Sequence, residues 1–308
     1  MCSILGFINL GSESLLKECN SVMMHRGPDG SNIKWFDKFN SGLAHNRLSI
    51  IDLSDRASQP MQSLNKRYWI VFNGEIYNYK SIRKELNSNG FNFATESDTE
   101  VLLNAYLEWG SDCFNKFNGI FAFAIFDNLE NSLILARDRL GVKPLYYYIN
   151  NNSFIFASEI KGILASKFVS AEPDMEALHT PIHYQIGPKT GFNNIYKLRP
   201  GYYSVYKEGE FQEKQYWKIN PTEEKSINEK QIFDDFESLL IDSVDLQMVS
   251  DVPIGLLLSG GLDSSIIAAL MAKNSNNEVN SFTIKFSSED LKKQGNVDDS
   301  YYAAKVAK

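Results

Sequence analysis

Short apolar stretches broken by polar and turn-forming residues run through the first 160 positions, and their period assigns the elements. Residues 3–8 read as a strand carrying Cys2 at its end, followed by a polar helix over about 12–24. Gly27-Pro28-Asp29-Gly30 is a turn by its chemistry, because Pro fixes φ and Gly supplies positive φ. Residues 43–53 alternate as a strand with Arg47 between apolar neighbours. Residues 68–72 predict another strand, which runs into Asn73-Gly74, a dipeptide that predicts a hairpin when apolar stretches flank it. Helical spacing follows over 79–86 and 99–109, and Ser97 and Glu100 stand at capping-box separation, which puts Asp98 in a first turn. Strands are then predicted at 119–126, 132–136, 145–149 and 153–157. Many strands with few helices between them predict layered antiparallel sheets covered by helices.

The pattern weakens between Gly201 and Glu229, where polar, turn-rich segments predict a boundary. We divide the chain into a first domain at 1–208, a linker at 209–227 and a second domain at 228–308. Ile232, Phe233, Phe236, Leu239, Leu240 and Val244 have the spacing of a helix with one buried face. Residues 252–258 read as a fully buried strand, 266–272 as an apolar helix, 279–286 as a further strand and 299–308 as a helix. Strand, helix and strand in that order predict a parallel sheet, so the chain joins an α+β half to an α/β half.

With 308 residues, 43% of them hydrophobic, two cores can be filled. A net charge of −7 provides no broad basic field, which argues against nucleic acid and against an anionic membrane surface. The apolar runs at 119–126 and 252–258 are too short to span a bilayer, and the start has no basic leader, so a cytoplasmic location is expected. Cys2, Cys19 and Cys113 lack metal-site spacing. His179 and His183 are separated by Pro181 and read as surface loop.

Five stretches carry candidate chemistry, four of them in the first half. If Met1 is removed, Cys2 offers a thiol and a free α-amine in one residue, a nucleophile with its own base; the plain alternative is that a small second residue only permits methionine removal. Arg47 suits a bidentate carboxylate clamp or a partly buried ion pair. Asn73 and Gly74 offer a side-chain amide and a bare backbone N–H side by side, the two donors of an oxyanion hole. Asp98 is explained either by the helix dipole or by a substrate ammonium. The charged stretch at 137–144 reads as a solvated loop. In the second half, Ser259-Gly260-Gly261-Leu262-Asp263-Ser264-Ser265 lies between a strand and a helix, where unpaired N–H groups and the helix dipole make an anion cradle. It lacks the Gly-Lys-Ser/Thr ending of a nucleoside-triphosphatase loop and the Gly-x-Gly-x-x-Gly dinucleotide fingerprint.

Met1-Cys2-Ser3-Ile4, HRGPDG at 25–30, LAHNRLSIIDLS at 43–54, FNGEIYNY at 72–79, ESDTE at 96–100, FNGIFAFAIFD at 117–127 and ARDRLGVKPLYY at 136–147 come in the order seen in class II glutamine amidotransferases. Together with SGGLDSS, which resembles the pyrophosphate loop of ATP pyrophosphatases, they are similar to glutamine-dependent asparagine synthetases. The resemblance implies an N-terminal nucleophile hydrolase αββα sandwich followed by a truncated ATP-pyrophosphatase domain of parallel α/β type. It implies Cys2 as nucleophile, Asn73 and Gly74 as oxyanion donors, Arg47 on the glutamine carboxylate, Leu48, Ser49, Ile50 and Ile51 lining the pocket, and Glu75 and Asp98 at the amino group. For the second half it implies Ser259, Gly260, Gly261, Asp263, Ser264 and Ser265 at pyrophosphate, Leu258 and Ile284 beside the nucleotide, and Asp263 towards magnesium. Glutamine, aspartate and Mg-ATP are then the expected partners, hydrolysis itself needs no cofactor, and a homodimer is compatible with the sequence. Ser3 stands where this family usually has Gly, and the family's sequence continues past Lys308, so we expect an interrupted synthetase half with glutamine hydrolysis retained. Two other readings remain: amidation of a different carboxyl, such as a sugar acid in polysaccharide synthesis, and a non-catalytic remnant.

Overall fold

In the computed structural model, which describes residues 1–179, 187–221, 228–275, 278–287 and 299–308, the first strand β1 (Ser3–Ile8) is buried along its whole length. It is buried on both faces, which is why its sequence is nearly continuously apolar. It leads through α1 (Glu13–Ser21), capped by the Ser12 hydroxyl, into β2 (Gly30–Phe36) and β3 (Ser41–Arg47). The short β4 (Met61–Gln62) precedes β5 (Tyr68–Ile76), and α2 (Tyr79–Ser88), α3 (Asp98–Trp109) and α4 (Cys113–Lys116) follow. Next come β6 (Gly119–Asp127), β7 (Ser132–Arg137), β8 (Tyr146–Asn150) and β9 (Ser153–Ala157). After α5 (Ile160–Leu164) and α6 (Met175–His179), the first unit ends with β10 (Ile195–Lys197), β11 (Tyr202–Lys207) and β12 (Glu210–Gln215).

These strands form two antiparallel sheets, ordered β10-β8-β9-β1-β3-β2 and β12-β11-β7-β6-β5-β4. Ile4 and Ile8 enter the core between the sheets with Leu43, Val71, Phe126, Phe154 and Phe156. Leu5 and Phe7, on the opposite face of β1, pack with Leu16, Cys19 and Met23 of the α1 region and Ile163 of α5. Helices α2 and α3 pack together, and α3 lies on β5. The result is the αββα sandwich expected, with β1, which carries Cys2 at its end, central in its sheet.

Several local readings change. Asn73-Gly74 turns no hairpin: β5 runs straight through it, pairing Asn73 with Ala122 and Gly74 with Phe121. The reason for glycine is close approach, since a Cβ there would stand 2.2 Å from the Ile120 carbonyl oxygen. The strand expected over 43–53 stops at Arg47. The capping box is not reciprocal: Ser97 Oγ accepts from Thr99 N, while the Glu100 carboxylate takes the Ala94 and Thr95 N–H groups. The linker expected from 209 starts too early, because Glu208 and Gly209, both at positive φ, turn β11 into the edge strand β12. Compactness puts the division at Asn220/Pro221. His179 ends α6, whereas His183 and Pro181 lie outside the described residues.

The second unit, Pro221–Lys308, contains α7 (Glu229–Gln247), β13 (Gly255–Leu257), α8 (Leu262–Asn274), β14 (Asn280–Phe282) and α9 (Asp299–Val306). β13 and β14 are parallel, as the strand-helix-strand order requires. Residues 252–258 are not fully buried: Leu257 is 78% exposed, because the sheet has two strands among the described residues and one face lacks a covering layer. The apolar stripe of α7 is likewise open at Phe233, Phe236 and Leu239, with Val244 its buried member.

Candidate active site

At the open end of β1, Cys2 Sγ accepts a hydrogen bond from Leu48 N at 3.3 Å, and Arg26 Nε donates to the Cys2 carbonyl at 3.0 Å. Arg26 in turn pairs with Glu159, so the 25–30 turn is part of the site's frame and more than a reversal. Gly27 is required there, since a Cβ would meet the Asn46 carbonyl oxygen at 2.3 Å. Ser3 is fully buried and turned away from the thiol: Asn46 Nδ2 donates to its hydroxyl at 2.9 Å, and Asn46 is itself held by Asn20.

Cys2 opens onto a cavity of about 100 Å³ that gathers most of the expected residues: Arg47, Leu48, Ile50, Ile51, Asn73, Gly74, Glu75 and Asp98. Ser49 is the exception. Its N–H donates to Asp29 at 2.8 Å, and it lines a neighbouring surface groove. Met1, still attached, also lines the cavity, so its removal would both enlarge the space and free the Cys2 amine.

Arg47 is buried at one side of this space. Its guanidinium donates to the backbone carbonyls of Ser54, at 2.8 Å, and Asp52, which fixes its plane without neutralising it. The loop after β3, which alternation read as strand, folds round the arginine to do this.

The opposite wall is β5. Phe72 N donates to Gln59 Oε1 at 2.6 Å and Ile76 N to Asp98 Oδ2 at 3.1 Å, so both point away from β6. In an antiparallel strand alternate N–H groups share a direction, and Gly74 N therefore points the same way between two occupied neighbours. Beside it, Asn73 Nδ2 is buried without a hydrogen-bond partner. Buried amide nitrogens are rarely left so, and an acceptor brought by a ligand is the natural completion. His45 Nε2 lies 3.1 Å from the Phe72 carbonyl and links β3 to β5; burial pushes its pKa to about 3, so the ring is neutral and Nε2 is the donor.

Asp98 sits in the first turn of α3, and burial lifts its pKa to about 7, with Glu75 adding to the rise against the Ile76 hydrogen bond. Burial also raises Glu75. Two acids stacked in this way want a cation between them.

Sequence reasoning missed Gln59, Thr99 and Lys143, all in the cavity wall. Gln59 bridges Phe72 N and Thr99 Oγ1, a link between distant segments that no local pattern signals. The 137–144 loop is not solvated: Asp138 and Lys143 are buried, and Asp138 accepts from the N–H groups of Phe121, Leu140, Val142 and Lys143.

In the second unit, Gly260 has φ +80° and α8 starts at the extended Gly261 without a side-chain cap, so Asp263, Ser264 and Ser265 form its first turn. Ser259 Oγ lies 3.0 Å from Ser264 Oγ and accepts from Gly261 N. A Cβ on Gly260 would stand 2.4 Å from Ala303 N, so the loop packs against α9. Leu258, Ser259 and Ile284 line an adjacent cavity of about 240 Å³. No cluster of three or more metal-ligating side chains occurs among the described residues, and no helix there is long and apolar enough to cross a membrane.

Residues 1–217 match the family model of the glutamine amidotransferase domain, and residues 235–308 match that of asparagine synthase. Two curated proteins of Bacillus subtilis are similar: asparagine synthetase [glutamine-hydrolyzing] 3, 38% identical over 88% of this chain and 45% of its own length, and asparagine synthetase [glutamine-hydrolyzing] 1, 36% identical over 93% and 46%. The chain spans about half the length of these relatives. Among solved structures, glutamine phosphoribosylpyrophosphate amidotransferase from B. subtilis superposes with a TM-score of 0.54 at 16% identity, over 96% of this chain and 71% of that one, a likeness of fold.

Proposed function

The chain belongs to the glutamine amidotransferase domain family, its C-terminal part matching asparagine synthase, and from that premise we propose that it hydrolyses glutamine at Cys2 to supply ammonia for ATP-dependent amidation of aspartate. The observation that carries the first step is the unpartnered Asn73 Nδ2 beside Gly74 N, in the same cavity as the thiol. Glutamine fits the remaining polarity: its carboxylate to Arg47, its ammonium to Glu75 and Asp98, and its amide carbonyl to the two free donors.

With Met1 removed, the α-amine of Cys2 takes the thiol proton and the sulfur attacks the amide carbon. The carbonyl oxygen becomes an oxyanion at Asn73 and Gly74. The proton returns to the leaving nitrogen, ammonia departs, and a γ-glutamyl thioester remains. Water, deprotonated by the same amine, then adds to the thioester; glutamate leaves and the thiol is restored. The Ser3 side chain is no obstacle, since its hydroxyl is occupied by Asn46.

In the second unit the uncapped start of α8 and the Gly260 turn suit a pyrophosphate, with Ser259, Ser264 and Ser265 as hydroxyl donors and Leu258 and Ile284 against the nucleotide. ATP is the substrate there. Magnesium would arrive on its phosphates, with Asp263 the carboxylate of that first turn. Incubation with amide-labelled [15N]glutamine, aspartate and Mg-ATP tests the whole reading. Label in asparagine supports it. Label confined to ammonium restricts the reading to hydrolysis, and label remaining in glutamine removes it.

Asp98 gives this proposal a pH signature. Its ionised form binds the substrate ammonium, and its pKa near 7 places the change at neutrality. As pH falls from 8 to 6 the carboxyl gains a proton, so kcat/KM for glutamine should drop about tenfold, one decade per pH unit below the pKa. A profile flat across that range would remove Asp98 from ammonium recognition.

A further inference from the structure

Lys143 lines the cavity, and the roles above leave it unused. It is 7% exposed, and its ammonium makes no hydrogen bond or ion pair among the described residues. Its backbone is fixed twice, by donation to Asp138 Oδ2 at 3.0 Å and by acceptance from Arg137 Nε at 2.8 Å. The other Arg137 nitrogens bind the Gly141 and Leu198 carbonyls, both at 2.7 Å. Arg137 thus gathers carbonyls and Asp138 gathers amides, and together they hold a cation at the cavity wall.

Burying an ammonium without a partner is costly, so a compensating negative charge is to be expected. Glutamine in its ground state does not provide one: its carboxylate is matched by Arg47 and its ammonium by Glu75 and Asp98. Of the negative groups facing Lys143, Glu75 pulls most and Cys2 next; once the substrate ammonium engages Glu75 and Asp98, the charge left for the lysine is the one that forms when the thiol ionises and the amide oxygen becomes an oxyanion. We propose that Lys143 is the electrostatic partner of the Cys2 sulfur, stabilising the thiolate and the anionic tetrahedral species formed on it. The inference rests on Cys2 being the nucleophile.

The other charges facing the thiol do not replace Lys143. Glu75 and Asp98 are acids and disfavour a thiolate. Arg47 is turned to the Asp52 and Ser54 carbonyls, Arg26 to the Cys2 carbonyl and Glu159, and Asp29 accepts from Ser49 N. The α-amine supports ionisation but also acts as the base. Burial pushes the Cys2 thiol up, and Leu48 N–H, the Met1 amine of the untrimmed chain and Lys143 oppose this. Burial likewise lowers the lysine, against the pull of Glu75 and Cys2.

The test is the pH profile of Cys2 alkylation by iodoacetamide, without glutamine, located by peptide mapping in wild type, Lys143→Met and Lys143→Arg. The neutral variant should shift the midpoint upward by about one pH unit, a tenfold slower reaction near neutrality, because thiolate is the reactive species; arginine should restore it. Burial lowers the terminal amine and Lys143 adds to this, so loss of the lysine would keep that amine charged to higher pH and favour thiolate; an upward shift of the midpoint therefore cannot come from the amine and isolates Lys143. If methionine prevents folding, Lys143→Gln takes its place. A neutral variant whose midpoint matches wild type overturns the proposal, as does an arginine variant that behaves like the neutral one. A shifted profile in a protein that leaves glutamine intact would defeat the glutaminase reading and with it the tetrahedral species, keeping only the pairing of Lys143 with the thiolate, while normal turnover with an unshifted profile would keep the glutaminase reading and overturn this one.

Discussion

Cys2→Ala should release no ammonia from glutamine above background, a fall in kcat of about 10⁴-fold or more, because a covalent mechanism without its nucleophile retains only binding and oxyanion stabilisation. Glutamine binding should persist, since Arg47, Glu75 and Asp98 lie in other parts of the cavity wall and the alanine only removes volume. The measurement pairs an ammonia assay with equilibrium binding of labelled glutamine. Hydrolysis at the wild-type rate would mean that the thiol at the end of β1 does no chemistry. A form that keeps a residue before Cys2 should be inactive to a similar degree, because its α-amine is locked in a peptide bond and cannot shuttle the proton.

The second large effect belongs to Asn73. Asn73→Ala should lower kcat by about 10²- to 10³-fold, as one oxyanion donor does elsewhere, while KM moves little because the interaction develops in the transition state. Stability separates this from a structural role. Nδ2 has no partner to lose, so the melting temperature should be unchanged or slightly higher. A variant with normal kcat, or one that merely unfolds at lower temperature, would show the amide to be a packing group.

The two residues also show what a sequence discloses. Asn73-Gly74 was legible as a pair of donors but misread as a hairpin, because the local preference of Asn-Gly is real and the pairing with β6 is not local. The strands of the sandwich were readable from alternation and apolar runs, whereas β12 was hidden: EFQEKQ is an edge strand with one apolar residue, Phe211, set on the core, too few to show a period. Ser49 is grouped with its neighbours in the sequence, but its N–H is held by Asp29 and it lines the neighbouring groove, a long-range contact that local pattern does not signal. Lys143 was dismissed as part of a charged loop. Charge predicts solvation only on average, and the buried Asp138 is satisfied by one backbone amide from β6 and three from its own loop. In the second unit, the order of strand, loop and helix was legible, but burial was not, since it depends on layers beyond the elements themselves.

Chain ends usually fray, and the proposed nucleophile at residue 2 looks exposed to that hazard. Here β1 lies between β9 and β3, paired on both sides, so only Met1 and Cys2 extend beyond the sheet. Cys2 itself is held by Leu48 N on its sulfur and Arg26 on its carbonyl, and to displace the strand behind it β1 would have to leave two neighbours and both cores at once, at a free energy close to that of unfolding the whole sandwich. The strand that places the thiol is therefore among the least yielding parts of the sandwich.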